Sequence, residues 1–204
     1  MNNTATAISD SMLWSDSNQL ITDVSRVSKD ELSKAANRID QGYYPLDIMG
    51  NLGQAGAFAA HLDMYGGRFA TSIHAMQEIA SSCGSTGFLS WCQDVCGLYM
   101  EQSGNPALLA RLPDHAQGKT FGGTALSNPM KSLAGIESML LTAKQVPGGY
   151  HVSGTLPWVS HIQHGQYCGA IAAVNKADGT RSHEIMFLLD IDDSVSLRTC
   201  PEFS

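Results

Sequence analysis

Thr124-Ala125-Leu126-Ser127-Asn128-Pro129 and, after a turn-rich interval, residues 148–160 (GGYHVSGTLPWVS) decide the reading of this chain. Each is a short strand-like piece ending near a small hydroxyl residue, Ser127 in the first and Ser160 in the second. Pro147-Gly148-Gly149 between them is hairpin punctuation. Side chains alternate faces along a strand, so Trp158 and Ser160 are expected to point the same way, with Val159 opposite. An aromatic face beside a hydroxyl and backbone donors can hold a flat ring system with a polar edge.

Working outward, the chain changes texture near residues 114–119, a polar stretch with a glycine. Upstream, Leu20, Val24, Val27, Leu32, Ala35, Ala36 and Ile39 form one apolar stripe of helical period, and Gly42 follows as a stop. Pro45 suits the start of a second helix whose buried side is Ile48, Met49, Leu52 and Ala55. Ile73, Met76, Ile79, Ala80 and Cys83 make a third stripe. Ser85 or Thr86 is expected to cap a fourth helix running through Phe88, Leu89, Cys92, Val95, Cys96 and Tyr99. Asn105-Pro106 repeats the cap-then-proline signature. Downstream, short apolar runs (residues 121–126, 139–143, 150–152, 167–174, 185–189 and 195–197) are separated by turn clusters, including Ala177-Asp178-Gly179. Helices followed by strands indicate a segregated helical-plus-sheet, α+β protein, with an all-helical domain over residues 1–117 and a β domain over 118–204.

Composition narrows the function classes. A net charge of −7 leaves no basic stripe to neutralise phosphates, which argues against a nucleic-acid partner. Charged residues are 15% of the chain, below the usual ~25%, so extra surface is expected to be buried against partners. No apolar run approaches the ~20 residues of a membrane span, and the polar start is no signal peptide. Five cysteines at irregular spacings fit a reducing cytoplasm better than a disulfide framework.

The two opening stretches resemble the middle domain of the acyl-CoA dehydrogenase family, which reads (C/A)-(L/V)-T-E-P-x-A-G-S-D, then a hairpin, then W-I-T-N-G. Here they stand as Ala125-Leu126-Ser127-Asn128-Pro129 and Trp158-Val159-Ser160-His161. The likeness continues at Pro45, Ile48, Leu52 and Gly56, at Tyr65-Gly66-Gly67, at residues 79–85 and at residues 106–112. The resemblance implies a helical bundle followed by a truncated antiparallel β-barrel or sandwich, and FAD as cofactor, with Leu126, Ser127, Trp158, Val159 and Ser160 around the isoalloxazine ring. It implies an acyl-CoA or other small-molecule substrate, with Ser132 as a candidate contact. The pattern breaks at residues 130–134, where the family's glycine-serine turn has no glycine until Gly135. That loss fits the family's flavin-dependent monooxygenases somewhat better than a β-oxidation enzyme. In the family the catalytic glutamate lies on a C-terminal helical domain, so no catalytic residue is assigned here. The chain alone is expected to be inactive, and either a homo-oligomer or paired with a chain supplying that domain.

Other constellations are weaker. Cys92 with Cys96, and His161 with His164, have spacings a metal could use, but neither has a second pair, so no metal is expected. His61 and His74 read as structural histidines on helices. Neither G-x-S-x-G nor GxGxxG occurs. The alternative to a flavoenzyme is a non-catalytic interaction subunit that has lost flavin binding.

Overall fold

The computed structural model describes residues 14–176 and 178–200. The polar start and Ala177 therefore lie outside the described residues. The chain divides into two compact units, Met1–Phe121 and Gly122–Ser204.

The first unit is helical among its described residues. Helix α1 (Ser17–Val27) starts at Asp16, whose carboxylate accepts the N–H groups of Asn18 and Gln19. A π turn over Ser28–Leu32 joins it directly to α2 (Ser33–Asp40). The apolar stripe explains that turn. Its steps are three or four residues except from Val27 to Leu32, which is five, and a π turn absorbs the extra residue. Leu20, Val24, Val27, Leu32, Ala35 and Ile39 are all buried as a result. Gly42 follows at φ +98°, which favours glycine.

Helix α3 (Leu46–Gln54) buries Ile48, Met49 and Leu52, with Pro45 at its N-cap. Helices α4 (Phe69–Ser82) and α5 (Gly84–Gln102) follow, separated by Cys83 alone. Cys83 is the N-cap of α5 and offers no side-chain bond, so the expected Ser85 or Thr86 cap is not used. Asn105 does cap α6 (Pro106–Leu109), accepting from the Ala107 N–H, with proline in the first turn. Helix α7 (Leu112–Ala116) ends the set. Gly118 then passes so close to α3 that a Cβ on Gly53 would lie 2.5 Å from the Gly118 Cα.

Among its described residues the second unit is a five-stranded sheet with one short helix. Its elements are β1 (Gly122–Thr124), α8 (Ser127–Leu133), β2 (Leu141–Val146), β3 (Gly149–Gly154), β4 (Tyr167–Asn175) and β5 (Arg181–Asp190). The α+β expectation holds, but the sheet is mixed and open rather than a closed antiparallel barrel. The two local hairpins, β2–β3 and β4–β5, are antiparallel as their turns dictate. Both β1 and β2 pair with β4 in parallel. Turn residues specify only neighbours in sequence, so these non-local pairings left no mark in the turn pattern. Residues 195–197, expected as a strand, form none.

Strands β1 and β2 share one edge of β4, end to end. β1 takes residues 167–169 and β2 takes 173–174, and between them the chain leaves the edge to form α8. The core gathers Ala125, Leu141, Ala143, Cys168, Ala170, Ala172, Val174 and Ile191. Ile185, Phe187 and Leu189 of β5 pack against it at period two.

Candidate functional site

The break in the β4 edge is where the sequence-predicted residues fall. β1 stops at Thr124, two residues earlier than a strand end at Leu126 requires. Leu126 is instead the N-cap position of α8, and Ser127 is exposed in the helix's first turn. Residues 158–160 are not a strand either, so the period-two argument for Trp158 and Ser160 does not apply. Their order comes from one antiparallel bridge, Ser160 to Thr124. That bridge brings the two stretches together.

The approach is close because residue 123 is glycine. A Cβ there would collide with the Ser160 carbonyl oxygen and lie 2.6 Å from that of His161. The Ala125 N–H donates to Gly169, holding the exit of β1 on β4. Val159 packs against the core cluster, as does Ile162, which sets the strap between them. Trp158 keeps 49% of its surface exposed, and Ser160 is half-buried. The edge thus carries an accessible indole and two hydroxyls on adjoining segments.

Ser132 is buried near the end of α8, and Arg181 Nη2 donates to its Oγ at 3.0 Å. Arg181 Nη1 also meets Glu184 at 3.1 Å. Asn128, which replaces the family's glutamate, is buried. Its Nδ2 donates to Glu137 Oε1 at 2.8 Å and to the Ser138 carbonyl at 2.9 Å, and its Oδ1 accepts the Leu140 N–H at 2.9 Å. This side chain ties α8 to the loop that leads into β2. Neither that role nor the Arg181–Ser132 bond was visible in the sequence, because both partners lie beyond local spacing.

The histidines divide by environment. His161 is buried and His164 exposed, so the pair does not face one site. In the first unit His61 is buried and its Nε2 lies 2.9 Å from the Asp94 carbonyl oxygen, while His74 is exposed. Burial pushes the His61 imidazole down to about 4 and the Asp94 carboxyl well above the usual carboxylate range. Burial thus disfavours the charged form of both groups across their 3.7 Å approach. His115 is locked similarly: its Nε2 lies 2.8 Å from the Gln93 carbonyl oxygen, and Gln93 Nε2 donates to the carbonyls of His115 and Thr120. Cys92 and Cys96 are buried and in no disulfide, with Cys92 pushed up to about 12 by burial. Among the described residues no three His, Cys, Asp or Glu side chains are grouped to hold a metal ion. No described helix is long and apolar enough to cross a membrane.

Comparison with known proteins places this geometry. The profile of the acyl-CoA dehydrogenase N-terminal domain matches residues 15–119, just over half of the chain. Over 108 residues the chain is 32% identical to the oxygenase component of an FADH(2)-dependent resorcinol hydroxylase from Rhizobium sp. (strain MTP-10005), covering 52% of this chain and 23% of that protein. Butyryl-CoA dehydrogenase from Megasphaera elsdenii superposes with a TM-score of 0.68 at 17% identity, over 85% of this chain and 48% of its own. The HsaA monooxygenase from M. tuberculosis does so with 0.64 at 21% identity, over 86% and 43%. The chain spans less than half the length of these solved structures, and at such identities they show the fold. With the helical unit matched by the family profile and both units by the fold, this chain belongs to the acyl-CoA dehydrogenase family, and its structural neighbours include a butyryl-CoA dehydrogenase and a monooxygenase.

Proposed function

We propose that this chain contributes the helical and sheet portions of an FAD-dependent oxidoreductase of the monooxygenase branch, with the isoalloxazine ring held at the broken edge of β4. The observation that supports this most is the Thr124–Ser160 bridge, which sets the two candidate stretches side by side. The donor set suits the ring. The Leu126 backbone and the Ser127 hydroxyl would meet its polar edge, the Trp158 indole would cover a face, and the Val159 backbone with the Ser160 hydroxyl would close the side. Ser132, held by Arg181, would stand toward the substrate. When bound, the flavin supplies two-electron redox chemistry; the residues here bind it, orient it and limit water at its face. The resorcinol hydroxylase relative and the helix α8 in place of a glycine-serine turn favour monooxygenation over oxidation of an acyl thioester.

A second reading, a non-catalytic interaction subunit, is favoured by a different observation. Phe69, Ile73, Phe88 and Trp91 leave much of their apolar surface exposed on α4 and α5, with the Phe88 and Trp91 rings stacked 5.6 Å apart. Such exposed apolar surface suits another copy of the chain or a partner. Titration of the purified chain with oxidised FAD, followed by flavin fluorescence, and with dithionite-reduced FAD, followed by tryptophan fluorescence, separates the two. The flavoenzyme reading expects saturable quenching and an altered absorption band. A colourless protein indifferent to both forms, yet a stable oligomer in sedimentation, would establish the second reading instead.

A further inference from the structure

His161 is the one non-glycine residue among those described with a positive φ, at 58°. A left-handed backbone is unfavourable for an L-residue, and glycine would take it freely. The residue is also 3% exposed, so an imidazole has been buried where no side chain was needed for the turn. Its burial holds the ring neutral, pushing it down to about 4. The carbonyls of Ser160 and His161 are the two groups that press on Gly123 of β1. Val159 before it and Ile162 after it both pack against the sheet's core. Strain retained at a buried position next to a candidate site is characteristic of residues that hold geometry.

We infer that His161 is a positioning residue: its buried ring pins a left-handed turn that clamps the 158–160 strap across β1 and so sets Trp158 and Ser160 relative to Leu126 and Ser127. The inference rests on the reading that this edge holds flavin, but the placement of the strap can be measured without it. A purely structural role would stabilise the unit and leave the strap's position unchanged when the backbone turn is preserved.

The test is the full chain labelled with 5-fluorotryptophan, whose three tryptophans give separate fluorine resonances, that of Trp158 identified by Trp158→Phe. His161→Gly keeps the turn and removes the ring. The expected result is a folded protein melting within a few degrees of the parent, with the Trp158 resonance moved or broadened and those of Trp14 and Trp91 unchanged. FAD affinity is expected to fall about fivefold or more through lost pre-organisation, with a changed flavin absorption band. His161→Asn, which also tolerates the left-handed region, gives the same readouts if the glycine variant fails to fold. A folded variant with an unmoved Trp158 resonance and the parent's FAD affinity would overturn the inference. A parent chain that binds no FAD would overturn the flavin reading alone, since the Trp158 resonance would still decide the positioning role.

Discussion

The amide of Asn128 donates to Glu137 and to the Ser138 carbonyl while its oxygen accepts from Leu140, so one buried side chain satisfies a loop that has no strand pairing of its own. Removing it strands a backbone N–H and a carbonyl. Asn128→Ala is therefore expected to destabilise the sheet unit by about 1–3 kcal/mol, read from urea denaturation; a change within experimental error would mean the loop is held by other contacts. Trp158 is the opposite case. With half its surface exposed it contributes little to folding, so Trp158→Ala should leave stability nearly unchanged while lowering FAD affinity by about 1–3 kcal/mol in a fluorescence titration. Damaged folding with unchanged affinity would assign the indole to the core alone. At this scale the resemblance singled out Trp158, Ser127 and Ser160 as candidates. The bonds made by Asn128 and Arg181 escaped notice because a hydrogen bond across 10 or 49 positions has no local signature.

Among the elements, the joined helices α1 and α2 show how much a pattern can specify. The five-residue step from Val27 to Leu32 is written in the sequence, and the π turn is the geometry that keeps both on one face. Deleting Asp30 shortens that step to four and should yield a plain α-helix with the stripe intact, costing at most about 1–2 kcal/mol. Inserting one alanine between Thr22 and Asp23 rotates the stripe by about 100° and should unfold the helical unit. Circular dichroism melts of the two variants give the comparison, and equal damage from both would refute the account. The strap across β1 allows less latitude. Gly123→Ala forces a Cβ against two backbone carbonyls, and backbone cannot swing aside as a side chain can. A loss of about 2–4 kcal/mol in urea denaturation is expected, and a neutral result would place the strap elsewhere. The strands themselves were recognisable as apolar runs between turns. The helix α8 was not, because Ser127-Asn128-Pro129 reads equally well as a strand end or as a helix's first turn.

For the whole molecule, buried titratable groups set the pH dependence of stability. His61 and His161 are each held near 4 against an ordinary 6.5, so their contribution is present above about 6.5 and is lost as pH falls through about 4. Asp94 runs the other way. Its folded value is raised by burial, so its contribution is present below the ordinary 3.8 and is lost as pH rises through the folded value. Asp94→Asn imitates the protonated acid without requiring the proton, and should raise the urea midpoint at about pH 8 while leaving the acid-side loss from the histidines. A lower midpoint at that pH would mean the carboxylate is charged in the fold. By itself the sequence determined the two classes of secondary structure, the helical stripes, the hairpins and the family, because each depends on contacts within a few residues or on an ordered series of motifs. Only the tertiary structure decided that β1 and β2 lie in parallel along one edge of β4, that α8 fills the interval between them, and that one bridge joins Ser160 to Thr124. Those pairings join positions many residues apart, where the energy lies in the fit of distant surfaces and not in any local preference of the chain.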